Sequence, residues 1–268
     1  MRLSIITVTH NSRDALSRLL GGLDPDLKKR ILILDNASID GTVEIAMEHN
    51  VVVVQHAYNL GFARAANAGA RMVSDPVLCF LNPDCRPGRE LFTEGKKAVL
   101  SDRQCCAVPL ILEAEGEMVP GCQPGYTSLK LLCDTLMTNY GRNRLWRWLR
   151  NRDDYDDLAW SWPHGACFFV ARDFFFELGG FNERYFLYME DVDFGRRLYN
   201  AGGRVTLLRC TVDHGGGMGS SINYWRRLFL LNMGRIRYAA SVYGMGLALT
   251  LAVIALPALI FRGGLGFR

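Results

Sequence analysis

Leu3-Ser-Ile-Ile-Thr-Val8, running straight into Thr9-His-Asn-Ser12, is the stretch on which the fold turns. An apolar, β-branched run of this length reads as a buried strand, and the small polar residues after it end that strand. Behind the capping candidates Asn11 and Ser12 come Leu16, Leu19, Leu20 and Leu23 at helical spacing. The same alternation then recurs. Ile31 to Leu34 reads as a strand followed by a helix from about Thr42 to His49, and Val51 to Val54 as a strand followed by a helix around Phe62 to Val73. Val77 to Leu81 is a fourth strand. The alternation predicts an α/β fold whose mostly parallel sheet is flanked by helices. Ligands in such sheets sit beyond the carboxyl ends of the strands, so chemistry is expected in the loops after residues 8, 34, 54 and 81.

The whole chain of 268 residues is 49% hydrophobic and 22% charged, with net charge +4. That is enough to bury the core of one large domain or two small ones, and it excludes a disordered tail, a collagen-like fibre or a disulfide mini-protein. The modest charge argues against a dedicated nucleic-acid binder. Eight cysteines without a C-x-x-C pair or zinc-finger spacing read as reduced core thiols of a cytosolic protein. The N-terminus shows no secretory signal pattern. Regularity fades from about 113 to 163, where Glu113-Ala-Glu-Gly-Glu117 reads as an exposed hairpin and Leu145-Trp-Arg-Trp-Leu-Arg150 as a basic, aromatic stretch. It returns with a strand at Gly165 to Ala171, a short helix at Asp173 to Leu178 ended by Gly179-Gly180, a helix from about Asp191 to Asn200 and a strand at Arg204 to Leu208. The second half is therefore expected to extend the same sheet, and no repeat at solenoid periods is visible.

Tyr238 to Phe261 contains no charged residue and is bracketed by Arg226, Arg227, Arg235 and Arg237 before it and Arg262 after it. This predicts a C-terminal helical segment, 222–268, attached to the cytoplasmic membrane face, with the arginines against anionic head groups. A core helix is the alternative, and Gly244, Gly246 and Pro257 weaken a simple span. A chain cut near Asn223 is expected to stay folded.

The loops carry the chemistry. Asp35 can accept an imide N–H from a pyrimidine, and Asn36 adds amide contacts. Asp40-Gly41-Thr42 suits turn and cap chemistry. Arg64 either reaches a diphosphate or is solvated. Asp84, after Asn82-Pro83, suits hard Mg²⁺ or Mn²⁺ at a nucleoside diphosphate, or is a turn residue. Glu190, Asp191 and Asp193 cluster at a helix start, where the dipole alone would favour acids. His214, in Asp213-His-Gly-Gly-Gly217, is a loop imidazole able to reach metal or phosphate.

Taken together, Val8-Thr-His-Asn-Ser12, Leu34-Asp-Asn-Ala-Ser38 with Asp40-Gly41-Thr42, Asn59-Leu-Gly-Phe62 with Asn67, Leu81-Asn-Pro-Asp84, Gly165 to Ala171 with Gly179-Gly180-Phe181, Glu190-Asp191-Val-Asp193, and His214 with Ser220-Ser221 resemble glycosyltransferase family 2. The resemblance is to the GT-A fold, Rossmann-like, and to the bacterial rhamnosyltransferase-like branch. It implies inverting transfer of a sugar from a nucleotide diphosphate donor to a glycan or lipid-linked glycan hydroxyl, in cell-surface polysaccharide synthesis. dTDP-rhamnose is the favoured donor, with UDP-hexose or UDP-N-acetylhexosamine next. It implies a catalytic unit at 1–221, with 1–112 binding the nucleotide and 113–221 the acceptor. The nucleotide-sugar would meet Thr9, Asn11, Asp35, Asn36, Asp40, Asn59, Gly61, Phe62, Arg64, Asn67 and Asn82. Asp84 and His214 would hold the divalent metal, and Asp191, with Glu190 as alternative, would be the general base. Asn82 stands where the family's metal motif often has a first acid. A dinucleotide oxidoreductase is disfavoured because no G-x-G-x-x-G follows the first strand. A sugar nucleotidyltransferase is disfavoured for want of a glycine-rich, basic loop there. A non-catalytic, membrane-associated glycan-binding scaffold is the alternative.

Overall fold

The computed structural model describes residues 3–113, 116–140, 160–215 and 222–263. The first half runs β1 (Leu3–Thr9), α1 (Arg13–Gly22), α2 (Pro25–Lys28), β2 (Ile31–Asp35), α3 (Thr42–Glu48), β3 (Val52–Gln55), α4 (Phe62–Met72) and β4 (Val77–Leu81). Then follow β5 (Cys85–Pro87), α5 (Arg89–Ser101), β6 (Cys105–Glu113), β7 (Met118–Pro120), β8 (Cys122–Pro124) and α6 (Ser128–Tyr140). The remainder is β9 (Ser161–Pro163), β10 (Cys167–Ala171), α7 (Arg172–Glu177), α8 (Glu190–Asn200), β11 (Arg204–His214), α9 (Tyr224–Val242) and α10 (Met245–Gly263).

Side chains alternate across a strand, so each strand feeds two cores. Leu3, Ile5, Ile31, Ile33, Cys79 and Leu81 face one side and bury against Leu16, Leu19 and Leu20 of α1 and Leu91 and Phe92 of α5. Ile6, Leu32, Leu34, Leu78 and Phe80 face the other, against the alanines of α4 and an aromatic group of Phe168, Phe175, Phe181 and Phe194. The strand order is β3-β2-β1-β4-β10-β6-β11-β5, with β7 on β6. The parallel character read from the sequence holds for β3, β2, β1 and β4. Beyond them β10 enters antiparallel to both β4 and β6, β11 runs parallel to β6, and β5 closes antiparallel on β11, so the sheet is mixed. The second half does extend the same sheet. β11 runs on to His214, past the Leu208 at which the sequence pattern ends it, because a register shift between Leu207 and Thr211 interrupts its alternation. β6 and β7 form the expected hairpin, whose residues 114–115 lie outside the described ones, as do Leu145 to Arg150 and Ser220-Ser221. Seven of the eight cysteines are buried free thiols, whereas Cys133 is exposed.

A third cluster joins Tyr126, Leu131, Tyr185, Met189 and Val192 to Tyr238, Ala239, Ala248 and Leu251. α9 and α10 therefore pack on α6 and on the start of α8. Tyr238 is fully buried, and Asn139 and Asn232 exchange two amide hydrogen bonds of 3.0 Å across the α6–α9 contact. The uncharged stretch from Tyr238 onward is not one helix. It is split at Tyr243 and Gly244, where φ is +94°. Three of the four arginines before it make hydrogen bonds within the protein, two of them from exposed positions. Arg235 is buried and donates to the Asp134 carbonyl and the Thr138 hydroxyl, Arg237 donates to the Arg184 carbonyl, and Arg227 donates to the Tyr188 hydroxyl. Among the described residues no helix is long and apolar enough to cross a membrane.

Candidate active site

A cleft of about 300 Å³ opens at the carboxyl ends of β1, β2 and β4, where the parallel strands leave their loops. It is lined by Thr9, Asn36, Asn59, Gly61, Phe62, Asn82, Asp84, Glu190, Asp191 and His214, all singled out by the sequence. On the β2 side the Asn36 amide donates to the Gly61 carbonyl at 3.1 Å and accepts from Leu60 N–H, which ties two loops together. Asn59 accepts from Gly61 N–H at 2.9 Å, setting the turn into α4. Gly61 has φ +82°, and a Cβ there would lie 2.3 Å from the Phe186 carbonyl oxygen, so no side chain fits. Phe62 N–H donates to that carbonyl at 2.8 Å, which locks the loop before α4 to the segment leading into α8.

The acids stand at the first turn of α8. Tyr188 and Met189, just before them, are both left-handed, with φ 70° and 73°, and such strained backbone persists only where the surroundings hold it. Asp191 accepts from Val192 N–H at 2.9 Å and from Gly165 N–H at 3.2 Å, so each oxygen is pinned by a backbone donor. Burial raises its carboxyl to about 6, partly offset by those N–H groups. Glu190 is raised well above the carboxylate range, first by burial and then by the charge of Asp191, and its Oε2 has no partner among the described residues. The two carboxyls titrate as a pair, both raised by burial.

On the β4 side Asp84 Oδ1 and His214 Nε2 lie 3.4 Å apart, their side chains 4% and 13% exposed. Gly215 N–H donates to the Asp84 carbonyl, pinning the end of β11 to the β4 loop. Among the described residues no group of three or more metal-binding side chains gathers. A hard cation held by one carboxylate, one imidazole and substrate phosphate oxygens fits this pair, whereas an all-protein cage does not.

Five expected site residues lie off the cleft. Asp35 is fully buried, and its carboxylate accepts from the Thr9 hydroxyl at 2.8 Å, Ser38 N–H at 2.9 Å and the Ser38 hydroxyl at 2.5 Å. It organises the loops after β1 and β2, with most of its acceptor capacity used. Asn11 accepts from Ile39 N–H, and Asp40 accepts from Arg13 N–H, Thr42 N–H and the Thr42 hydroxyl. Burial would raise Asp40, but those bonds outweigh it and lower the carboxyl, as cap chemistry does. Asn67 is buried and spent on Phe181: its amide donates to the Phe181 carbonyl and accepts from Phe181 N–H. Arg64 lies 3.9 Å from Glu183, beside Arg71. Asp193, noted in the acidic cluster, pairs with Arg197 at 2.7 Å.

Sequence reasoning missed His10, His164, Tyr188 and Arg227 as cleft residues. His10 Nδ1 meets the Asn36 carbonyl at 2.7 Å. His164 stands directly before the glycine that pins Asp191, and its ring meets that of His214 edge-on at 5.7 Å. Only the aromatic run Trp160 to His164 hinted at it. Arg227 was read as facing a membrane, and its bond to the Tyr188 hydroxyl, 2.8 Å, is long-range and has no local signal.

The sequence pattern of "Glycosyl transferase family 2" matches residues 4–176. The N-acetylglucosaminyl-diphospho-decaprenol L-rhamnosyltransferase of Mycobacterium tuberculosis is 30% identical over 224 residues, 75% of this chain and 71% of that protein. Among solved structures, the mannosyltransferase PcManGT from Pyrobaculum calidifontis in complex with GDP-Man and Mn²⁺ is similar at TM-score 0.59 and 14% identity, covering 100% of this chain and 76% of that one. S. aureus TarS 1-349 is similar at TM-score 0.55 and 14% identity, covering 96% and 71%. The fold is that of a GT-A glycosyltransferase, an enzyme that uses nucleotide-sugars. The chain belongs to glycosyltransferase family 2.

Proposed function

We propose that the chain is an inverting rhamnosyltransferase that moves rhamnose from dTDP-rhamnose to a hydroxyl of an N-acetylglucosamine-type sugar on a lipid diphosphate. UDP-hexose and UDP-N-acetylhexosamine are the next donors. The observation that carries the reading is that one cleft contains both the Asp84–His214 pair and an Asp191 carboxylate fixed by two backbone N–H groups. The relative from M. tuberculosis, by its name, acts on such a lipid-linked sugar.

In this mechanism the loops carrying Thr9, Asn36 and Asn59 hold the nucleotide. Asp84 and His214 would hold Mg²⁺ or Mn²⁺, which when bound neutralises charge on the leaving diphosphate. Asp191 takes the acceptor proton as the hydroxyl oxygen bonds to the anomeric carbon and the bond from that carbon to the diphosphate oxygen breaks on the opposite face. Gly165 N–H and Val192 N–H keep the carboxylate aimed. Work at the inner face of the cell membrane is part of the reading. Its support is the exposed apolar stripe Met245, Leu249, Val253 and Leu256 on α10, with Arg226 exposed at the start of α9. The division of labour at residue 112 is retained for binding. The catalytic unit is taken to run past 221, because α9 supplies Arg227 to the cleft.

The test is a panel of dTDP-rhamnose, UDP-hexoses and UDP-N-acetylhexosamines with N-acetylglucosaminyl-diphospho-polyprenol as acceptor, with Mn²⁺ or with chelator. Transfer of rhamnose with inverted anomeric configuration, and weaker donor binding in Asp84→Ala, is the expected result. No transfer from any donor sinks the enzyme assignment, and full activity in excess chelator sinks the metal.

A further inference from the structure

The chain changes sheets at residues 164–166. β9, ending at Pro163, belongs to the two-stranded sheet with β8, whereas β10, beginning at Cys167, belongs to the large one. Both ladders run up to this corner. His164 N–H donates to the Gly121 carbonyl at 2.8 Å, extending the β8–β9 pairing, and Asn82 N–H donates to the Ala166 carbonyl at 2.8 Å, extending that of β4 and β10. Between these anchors the Gly165 N–H is turned onto Asp191 Oδ2 at 3.2 Å. A Cβ on Gly165 would itself lie 3.4 Å from that oxygen, so the backbone of the corner faces the carboxylate directly. The ring of His164 closes the corner, its Nδ1 meeting Ala166 N–H at 3.2 Å. A backbone N–H can only donate, so Nδ1 is the acceptor, and the bond reaches two residues on as in an Asx turn. The loop that it closes contains the 164–165 peptide, and that peptide carries the N–H on Asp191.

We propose that His164 is a positioning residue for glycosyl transfer: by holding Ala166 N–H it fixes the direction of the Gly165 N–H, and with it the aim of the Asp191 carboxylate. The inference rests on the glycosyltransferase reading above, in which Asp191 is the base, and adds a residue that acts through that base. Val192 N–H holds Asp191 Oδ1 and Gly165 N–H holds Oδ2, so the carboxylate plane is set only while both donors stay in place. Val192 lies in α8 and is fixed by the helix. Gly165 lies in a corner, where the peptide is free to turn like a crank between its two ladders without breaking either. The imidazole bond removes that freedom. Its loss therefore falls on the aim of Asp191 before it falls on the fold, and misplacing a reacting group by about 1 Å can cost on the order of 10²-fold in rate.

The experiment removes the ring acceptor and then puts one back. His164→Ala deletes it, and His164→Asn restores it, since an Asn side-chain oxygen accepts the N–H two residues on. Both are made in the full chain, alone and combined with Asp191→Asn. Kinetics with dTDP-rhamnose and N-acetylglucosaminyl-diphospho-polyprenol are read beside dTDP affinity by calorimetry and the melting temperature. His164→Ala should lower kcat roughly 10-fold or more, with acceptor KM and dTDP affinity within about twofold of wild type, and His164→Asn should recover most of the loss. In the Asp191→Asn background His164→Ala should cost less than about twofold further, because the group it aims is gone. Wild-type kcat in His164→Ala overturns the proposal. So does a fall in His164→Asn equal to that in His164→Ala, which would mean that the imidazole, edge-on to His214 at 5.7 Å, acts in its own right. Matching falls in kcat, dTDP affinity and melting temperature overturn it too, by marking a corner that serves only the fold. A wild-type protein inactive with every donor of the panel above sinks the glycosyltransferase reading, and this inference with it.

Discussion

Asp191 and Glu190 form one buried acidic pair whose carboxyls burial raises, and in the proposed mechanism Asp191 is the base. The base must be ionised, so kcat is expected to rise with pH through about 6 and level off above it, read from a pH–rate profile. Asp191→Asn is expected to cost roughly 10²- to 10⁴-fold in kcat while dTDP still binds. Glu190→Gln, whose neutral amide stands in for a protonated carboxyl, is expected to keep most activity and shift the profile's midpoint little. Loss of activity in Glu190→Gln with retention in Asp191→Asn would reverse the roles. At this scale the sequence named about half of the cleft, because strand-end loops announce themselves by small, polar residues following apolar runs. That Asp35, Asp40 and Asn67 lie off the cleft was not legible, because residue type reports hydrogen-bonding capacity and not who uses it. Ser38, Thr42 and Phe181 take up part of that capacity.

The turn before α8 and the helix behind it form one mechanical unit. α9 crosses so closely that a Cβ on Gly234 would fall 2.9 Å from Met189 Cγ and 3.0 Å from the Tyr188 carbonyl oxygen, and Arg227 on the same helix holds the Tyr188 hydroxyl. Gly234→Ala is therefore expected to push α9 off the left-handed pair. Stability should fall by about 1–3 kcal/mol, as overpacking does, and kcat by more than dTDP affinity, because the displaced residues precede the base. Equal losses in kcat and dTDP affinity would mean general unfolding and refute the coupling. Elements with strong local periods were legible: β1, β2, β4, α4 and the start of α8 lie within a residue or two of expectation. What could not be read was partnership. Nothing in Cys167 to Ala171 says that this strand enters between β4 and β6 against both, and the charge-free run after Tyr238 gives no sign of its break at Gly244.

Across the whole molecule, the C-terminal helices are structural first. Ending the chain at Asn223 removes Tyr238, Ala239, Ala248 and Leu251 from the third cluster and uncovers Tyr126, Tyr185 and Met189. Such a truncation is expected to lower the melting temperature by more than 10 °C or to aggregate, contrary to the separable tail that the sequence suggests. A truncated protein with wild-type melting and dTDP binding would restore that view. Membrane contact is tested apart from folding: Leu249→Asp with Val253→Asp, on the exposed stripe of α10, should halve or more the fraction that floats with anionic liposomes while melting is unchanged. Finally, the antiparallel entry of β10 governs the order of events during synthesis. β4 and β6 do not pair with each other, and each awaits Phe169 and its neighbours from far downstream. A ribosome that has released only the first four strands holds an open sheet edge, because the strand that covers it, Cys167 to Ala171, is still to come. Nascent chains stalled before Ala171 should remain protease-sensitive and draw on chaperones, and protection should come in one late step as the closing strand emerges.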